Sequence, residues 1–503
     1  LLLGVTTHIT TDVAPMPLLW IVPLALYLLS FIIVFSNWTQ AHQDRSLGTT
    51  WALLLPSLIL LVLNPHSHSV VSLLLYLGVF TGLTLVFHGQ LSLERPAAKH
   101  LTLFFLCMSI GGALGGLFNG LFAPLMFNRF MELHIVLLGT SLWMILPLSA
   151  LMARSPDMQK KLTIATLVSM SILLNVCMND QNRDWQLALA ILVLSGLLAR
   201  LLSLSPRRAW PAMALCLVFA QGAVWAMSDT IEVKRSFFST HKVAFDEDKK
   251  LRMITHGNTV HGMQSSDPAL SQQPLSYYHL AGPVGQAMRA LKLPATRRYA
   301  VIGLGAGALA TYCRQGATCD MFEIDPVVVE IARKHFTYLK DCSDTHCPVE
   351  IGDGRLLIEA KADATYDIIF LDAYNSDSIP IHLITKEALT IYTKKLKPGG
   401  LLFFHITNRY LDLRPVLAKL ADTLGLRAVY TIYMPDDEAK KTHAEASDWM
   451  IMAREESTLA PLVELPGWRR LKSKPGEPLW TDDYSNILPV ISPGGAGSAQ
   501  GDE

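Results

Sequence analysis

Charge is scarce in this 503-residue chain: Asp, Glu, Lys and Arg make up 17% of it, against 51% hydrophobic residues, and the mean hydropathy is +0.32. That composition excludes both an ordinary soluble protein and a disordered one. The scarcity is local. Residues 1–228 hold 11 Lys/Arg and 7 Asp/Glu, while the rest of the chain holds 31 and 35. A membrane-like part therefore precedes a soluble one. A basic field is also missing, since the formal net charge is zero, and this argues against a nucleic-acid partner. Cysteine is sparse as well. None of the seven stands in a CxxC pair, no His spacing beside them suggests zinc, and no metal is expected. Cys107, Cys177 and Cys216 fall in apolar runs, as small hydrophobes. Cys313, Cys319, Cys342 and Cys347 are even in number and would permit disulfides, but free thiols are the preferred reading.

Apolar stretches long enough for about 30 Å of hydrocarbon run at 17–36, 48–65, 69–88, 100–126, 131–152, 161–178, 184–203 and 209–227, about eight spans in all. The start, LLLGVTTHITTDVAPMPLLW, has neither an initiator Met nor a basic stretch and does not read as a signal peptide; it is compatible with the tail of an earlier helix. Ionisable groups within the spans are few: His8 and Asp12 lie at the edge of the first, and His88 ends the third. That favours an anchor or a lipophilic-substrate platform over a pore or carrier. Gly111, Gly112, Gly115, Gly116 and Gly120 crowd one span and suggest a tight helix-packing face. With eight crossings the basic loops gather on one side, which puts the soluble half outside; a re-entrant glycine segment would flip the parity.

After the last span, short β-type runs and a turn at His256-Gly257-Asn258 suggest a small β region. Apolar strands then alternate with amphipathic helices, including one expected from Ala308, which predicts a mostly parallel sheet covered on both faces. The first strand ends in Gly303-Leu304-Gly305-Ala306-Gly307, where a ligand can approach the backbone beside a helix N-terminus. The next ends in Glu323-Ile324-Asp325, a carboxylate suited to ribose hydroxyls. Gly352-Asp353-Gly354 is placed for an adenine amino group, and Asp372 stands at the ligand edge of YDIIFL. Position 308 is Ala, so GxGxxG is incomplete. An adenosyl-sulfonium pocket fits better than a nicotinamide site or a purely structural sheet.

Residues 245–455 resemble spermidine synthase, the aminopropyltransferase branch of the class I S-adenosylmethionine-dependent methyltransferase fold. The whole chain resembles bacterial membrane-fused spermidine synthase-like proteins. The resemblance rests on HGNTVHGMQ, PLSYYHLAGP, VIGLGAGALA, FEIDP, IGDGR and LDAYNSDSIP in that order. It implies a multi-span α-helical membrane domain (1–228), a small β region (229–290), a Rossmann-like α/β adenosyl-ligand-binding domain (291–490) and a disordered tail (491–503). It also implies that Asp372 and Tyr278 are catalytic, and that Gln264, Gly303, Gly305, Gly307, Glu323, Asp353 and Gly354 hold the donor. Tyr277, His279, Tyr374 and Asp377 would meet the acceptor. The chain departs from that family at Ala306, where the family carries Asp, and in the spacing of Asp372 and Asp377, five positions apart rather than three.

Three functions follow. One is aminopropyl or related alkyl transfer from decarboxylated S-adenosylmethionine or S-adenosylmethionine, as co-substrate, to an amine. The second is methyl transfer to a lipophilic or membrane substrate. The third is a transporter or sensor whose adenosyl-binding domain is non-catalytic. The expected partners are the lipid bilayer and a small amine or lipophilic acceptor, with a homodimer as an option. The expected location is the bacterial inner membrane with the soluble half in the cytoplasm, where adenosyl donors are made.

Overall fold

The computed structural model describes residues 1–154, 164 and 229–492, apart from 14–15, 37, 64–69, 258, 292, 295, 314–315 and 374–379. The expected spans at 161–178, 184–203 and 209–227, the tail beyond 492, and Tyr374 and Asp377 thus lie outside the described residues. The chain divides into two compact units, Leu1–Ser228 and Asp229–Glu503.

The first unit is helical. Among the described residues, Val70–Leu93 and Ala98–Met126 are long and apolar enough to cross a membrane, and Ile21–Val34 is apolar but shorter. The eight-span architecture is therefore not shown. Trp38–Leu63 begins with WTQAHQDRS, about two and a half polar turns that precede the apolar stretch expected from residue 48, and Glu132–Arg154 begins on Glu132. The glycine-rich stretch is helical through Leu101–Leu117, with a wider π turn at Phe118–Phe122. A Cβ added at Gly111, Gly112, Gly115, Gly116 or Gly120 would meet nothing within 4 Å among the described residues, so no helix-packing face is seen there. His8 pairs with Asp12 at 2.9 Å, and His88 bonds Ser30 at 2.7 Å while stacking on Phe31.

In the second unit, β1 (Thr230–Arg235), β2 (Thr240–Asp246), β3 (Leu251–His256) and β4 (Thr259–Ser265) form an antiparallel meander. The main sheet has the order β12-β10-β11-β9-β8-β5-β6-β7. Its parallel strands are β5 (Arg297–Ile302), β6 (Ala317–Glu323), β7 (Val349–Ile351), β8 (Tyr366–Leu371) and β9 (Leu396–His405). Every residue of β8 is buried, as expected of a central parallel strand covered on both faces. The sheet is thus mostly parallel, as expected, and the remaining strands add an antiparallel edge to it. β11 (Ser447–Ala453) lies between β9 and β10 (Arg427–Tyr433), antiparallel to both, and β12 (Arg469–Leu471) pairs antiparallel with β10. The connection from β10 to β11 holds only the short helix Asp437–Lys441, and the two strands run in opposite directions.

The helix expected from Ala308 is a short 3₁₀ helix, Ala308–Cys313. β6 follows from Ala317, which leaves too few residues for a longer one. Disulfides pair Cys313 with Cys319 and Cys342 with Cys347, which corrects the free-thiol reading. All four cysteines are buried in the apolar core on one side of the sheet. The strand pairing brings Cys319 back beside the 3₁₀ helix, a proximity that spacing alone does not reveal.

Candidate active site

The order of the sheet decides where the chemistry gathers. β5 lies between β8 and β6, so the loop after β5 emerges between the C-terminal ends of two neighbours, at the switch point where open α/β sheets bind ligands. A cavity of about 510 Å³ opens there, lined by Gly303, Gly305, Glu323, Asp353, Asp372 and His405 among others. That volume suits a small-molecule site.

The glycines in this loop serve close protein packing. A Cβ on Gly303, whose φ is +96°, would stand 2.2 Å from the carbonyl oxygen of Asp372, and one on Gly305 (φ +53°) would stand 2.2 Å from the carbonyl of His261. The loop is thus pressed between the end of β8 and the β-meander. Gly307 faces Leu339 and is not on the cavity wall. Gly354 lines the cavity, with the side chain of Ile302 filling the place of its missing Cβ. Ala306 is buried, and a Cβ on Gly262 would come within 2.6 Å of the Ala306 methyl.

Five carboxylates line the cavity: Glu323, Asp325, Asp353, Asp372 and Glu445. Glu323 accepts the backbone N–H of Leu304 and of Asp325, each at 2.9 Å. Burial pushes its carboxyl up from the ordinary range, and those two amides pull it only partly back. Asp353 caps the helix Gly354–Glu359 through Oδ1, accepting from Arg355 and Leu356, while Oδ2 meets His382 at 3.1 Å. Asp372 is held on both oxygens: Tyr278 donates its hydroxyl to Oδ2, and His405 Nδ1 lies 2.6 Å from Oδ1. Asp325 caps the helix Pro326–His335 and bonds His241 and Ser236. Burial alone would raise its carboxyl, but these bonds and the Val327 amide hold it below its usual value.

Other expected site residues sit elsewhere. Gln264 is buried off the cavity wall, donating to Ser271 and Thr337 and accepting from the Thr337 amide. His279 accepts the Ala281 amide in a local turn and does not line the cavity. Tyr277 does line it, stacked on His405 at 4.4 Å. Five lining histidines were not singled out as site residues from sequence: His241, His256, His261, His382 and His405. His405 ends β9, and the rule that finds Asp372 at the end of β8 finds it too.

A family model described as spermine/spermidine synthase domain matches residues 289–423. That stretch contains the β5 loop, Glu323, Asp353, Asp372 and His405. Residues 289–423 are thus similar to a spermidine synthase domain. Over 114 residues the chain is 36% identical to a polyamine aminopropyltransferase of Vibrio vulnificus, covering 22% of this chain and 37% of that one. It is 30% identical over 112 residues to a putrescine N-methyltransferase of Nicotiana tabacum, covering 22% and 29%. The chain thus spans well under half the length of these relatives. A solved probable spermidine synthase from Corynebacterium glutamicum aligns at 16% identity and TM-score 0.38, over 52% of this chain and 98% of that one.

Proposed function

We propose that this protein is a membrane-anchored transferase that moves an aminopropyl or related alkyl group from an adenosyl-sulfonium co-substrate to an amine. The observation that carries this reading is the convergence of Glu323, Asp353 and Asp372 on one cavity beside the Gly303 loop. The residues suit an adenosyl group. Each Glu323 oxygen accepts one amide and keeps a lone pair for a ribose hydroxyl, and Asp353 Oδ2 offers an acceptor at the far end. The sulfonium is a leaving group already, so what remains for the protein is to align the nucleophile and leave its nitrogen unprotonated. Asp372 stands where it can accept an amine N–H, and Tyr278 fixes its direction. Gln264 and His279 are better read as supports of the β-meander and the segment after it, whereas Tyr374 and Asp377 keep their proposed place at the acceptor. In this reading the two long apolar helices anchor the protein in a bacterial inner membrane, with the spermidine synthase domain on the cytoplasmic side.

Methyl transfer is the second reading. It is favoured by Ala306, whose close packing against Gly262 leaves no room for an acid at that point of the loop. Incubation with labelled donors separates the two: 5′-methylthioadenosine marks aminopropyl transfer and S-adenosylhomocysteine marks methyl transfer. Binding without either product would leave a sensor.

A further inference from the structure

The His405 ring is held on three sides. Tyr277 and Trp449 stack on its faces at 4.4 and 4.9 Å, at interplanar angles of 18° and 23°, and its Nδ1 edge meets Asp372 Oδ1 at 2.6 Å. At that separation a proton must lie between nitrogen and oxygen, since two lone pairs would repel. Tyr278 donates to the other oxygen. Asp372 is therefore one half of a coupled pair that already shares a proton, and its readiness to take another depends on the charge of the imidazole.

We propose that His405 is a positioning residue that sets the basicity of Asp372 and so fixes the lowest pH at which the acceptor can be deprotonated. The inference rests on the transferase reading above. With His405 neutral, the pair carries one negative charge and can take a proton from the acceptor ammonium. The N–H bond breaks, its electrons stay on nitrogen, and the pair goes from one shared proton to two. The freed lone pair then forms the new C–N bond while the C–S electrons remain on sulfur. With His405 already an imidazolium, the second proton is in place and the carboxylate is tied into an ion pair. The acceptor then stays an ammonium without a lone pair.

The other charged groups facing this ring must be separated from it. Asp448, beside Trp449 on β11, responds electrostatically to both His405 and Arg414; Arg409 and Glu445 stand on the cavity wall.

The test is the pH dependence of transfer by the full chain in detergent or nanodiscs, for wild type, His405→Gln and Asp448→Asn, with donor affinity measured alongside. Gln can donate the same hydrogen bond but does not titrate. His405→Gln is expected to move the acid limb of kcat/KM by at least one pH unit with donor affinity within about twofold, and Asp448→Asn to leave it in place. A limb that stays put in His405→Gln, or moves only in Asp448→Asn, overturns the proposal. Should His405→Gln fold poorly, ¹⁵N-histidine NMR of the wild type replaces it. One ring whose titration coincides with the acid limb and is displaced by Asp372→Asn supports the proposal, and no such ring contradicts it. A wild type that binds no adenosyl donor and forms no product instead overturns the transferase reading, and this inference with it.

Discussion

Gly303 and Asp372 touch through their backbones: the position a Cβ would take on Gly303 lies 2.2 Å from the Asp372 carbonyl oxygen. The loop proposed to receive the donor and the carboxylate proposed to receive the acceptor are thus positioned by one contact. The Asp372 amide also donates to the Ile302 carbonyl at 2.9 Å, which locks the same two strand ends. Gly303→Ala adds a clash to a φ of +96°, a strained conformation worth about 1–3 kcal/mol. Chemical denaturation should show at least that loss. Calorimetry should show weakened donor binding in the fraction still folded.

Glu323→Gln should leave the fold in place, because an amide oxygen can still accept one of the two backbone N–H groups. Replacing a charged acceptor for a ribose hydroxyl should cost about 1.5–3 kcal/mol of donor affinity, or roughly 10- to 150-fold in Kd. The titration should be run with S-adenosylmethionine, its decarboxylated form and 5′-methylthioadenosine, and equal loss for all three would place Glu323 on their shared nucleoside.

Acid should unfold the β-meander through its histidines. Burial, together with the nearby His261 and His241, lowers His256 to about 3, and burial with His241 lowers His261 to about 4. Both rings therefore fold as neutral imidazoles, whereas the unfolded chain binds protons near pH 6.5. Their stabilisation is fully present above about pH 6.5 and is lost as pH falls towards the folded values, on the order of 1.4 kcal/mol per pH unit and ring. Denaturation midpoints measured from pH 7 to 4 should fall steeply, and His256→Asn should flatten the slope.

The two disulfides predict a specific peptide map. Non-reducing proteolysis and mass spectrometry should recover Cys313 linked to Cys319 and Cys342 to Cys347, without cross-pairing. Replacing Cys313 and Cys319 together by Ser should cost about 2 kcal/mol from the short loop they close. Free thiols at all four positions would contradict the observed pairing.

What could be read from the sequence follows the chain's local geometry. Glu323, Asp353 and Asp372 each sit at or just after the end of an apolar parallel strand, and such ends share one edge of a sheet wherever they fall in sequence. Gln264 defeats that logic. It lies three residues after His261 on β4, but the register skips His261, an irregularity that simple alternation does not announce; His261 reaches the cavity while Gln264 bonds Thr337. The disulfides depend on strand pairing across the sheet, and the stacking of His405 on Trp449 requires β11 beside β9, an antiparallel neighbour that alternating strands and helices do not announce. Hydropathy marks the apolar stretch 48–65, whereas the helix begins ten residues earlier, at Trp38, through a polar stretch that hydropathy does not announce.

Asp372→Asn measures the central claim most directly. The substitution keeps the side chain's shape and removes the charge held between Tyr278 and His405. Single-turnover transfer from labelled donor to amine, run beside donor calorimetry, should show the rate falling about 10²- to 10⁴-fold with donor Kd nearly unchanged. A variant that transfers at the wild-type rate would contradict the account, making Asp372 a structural residue at the end of β8 and removing the proposed mechanism with it.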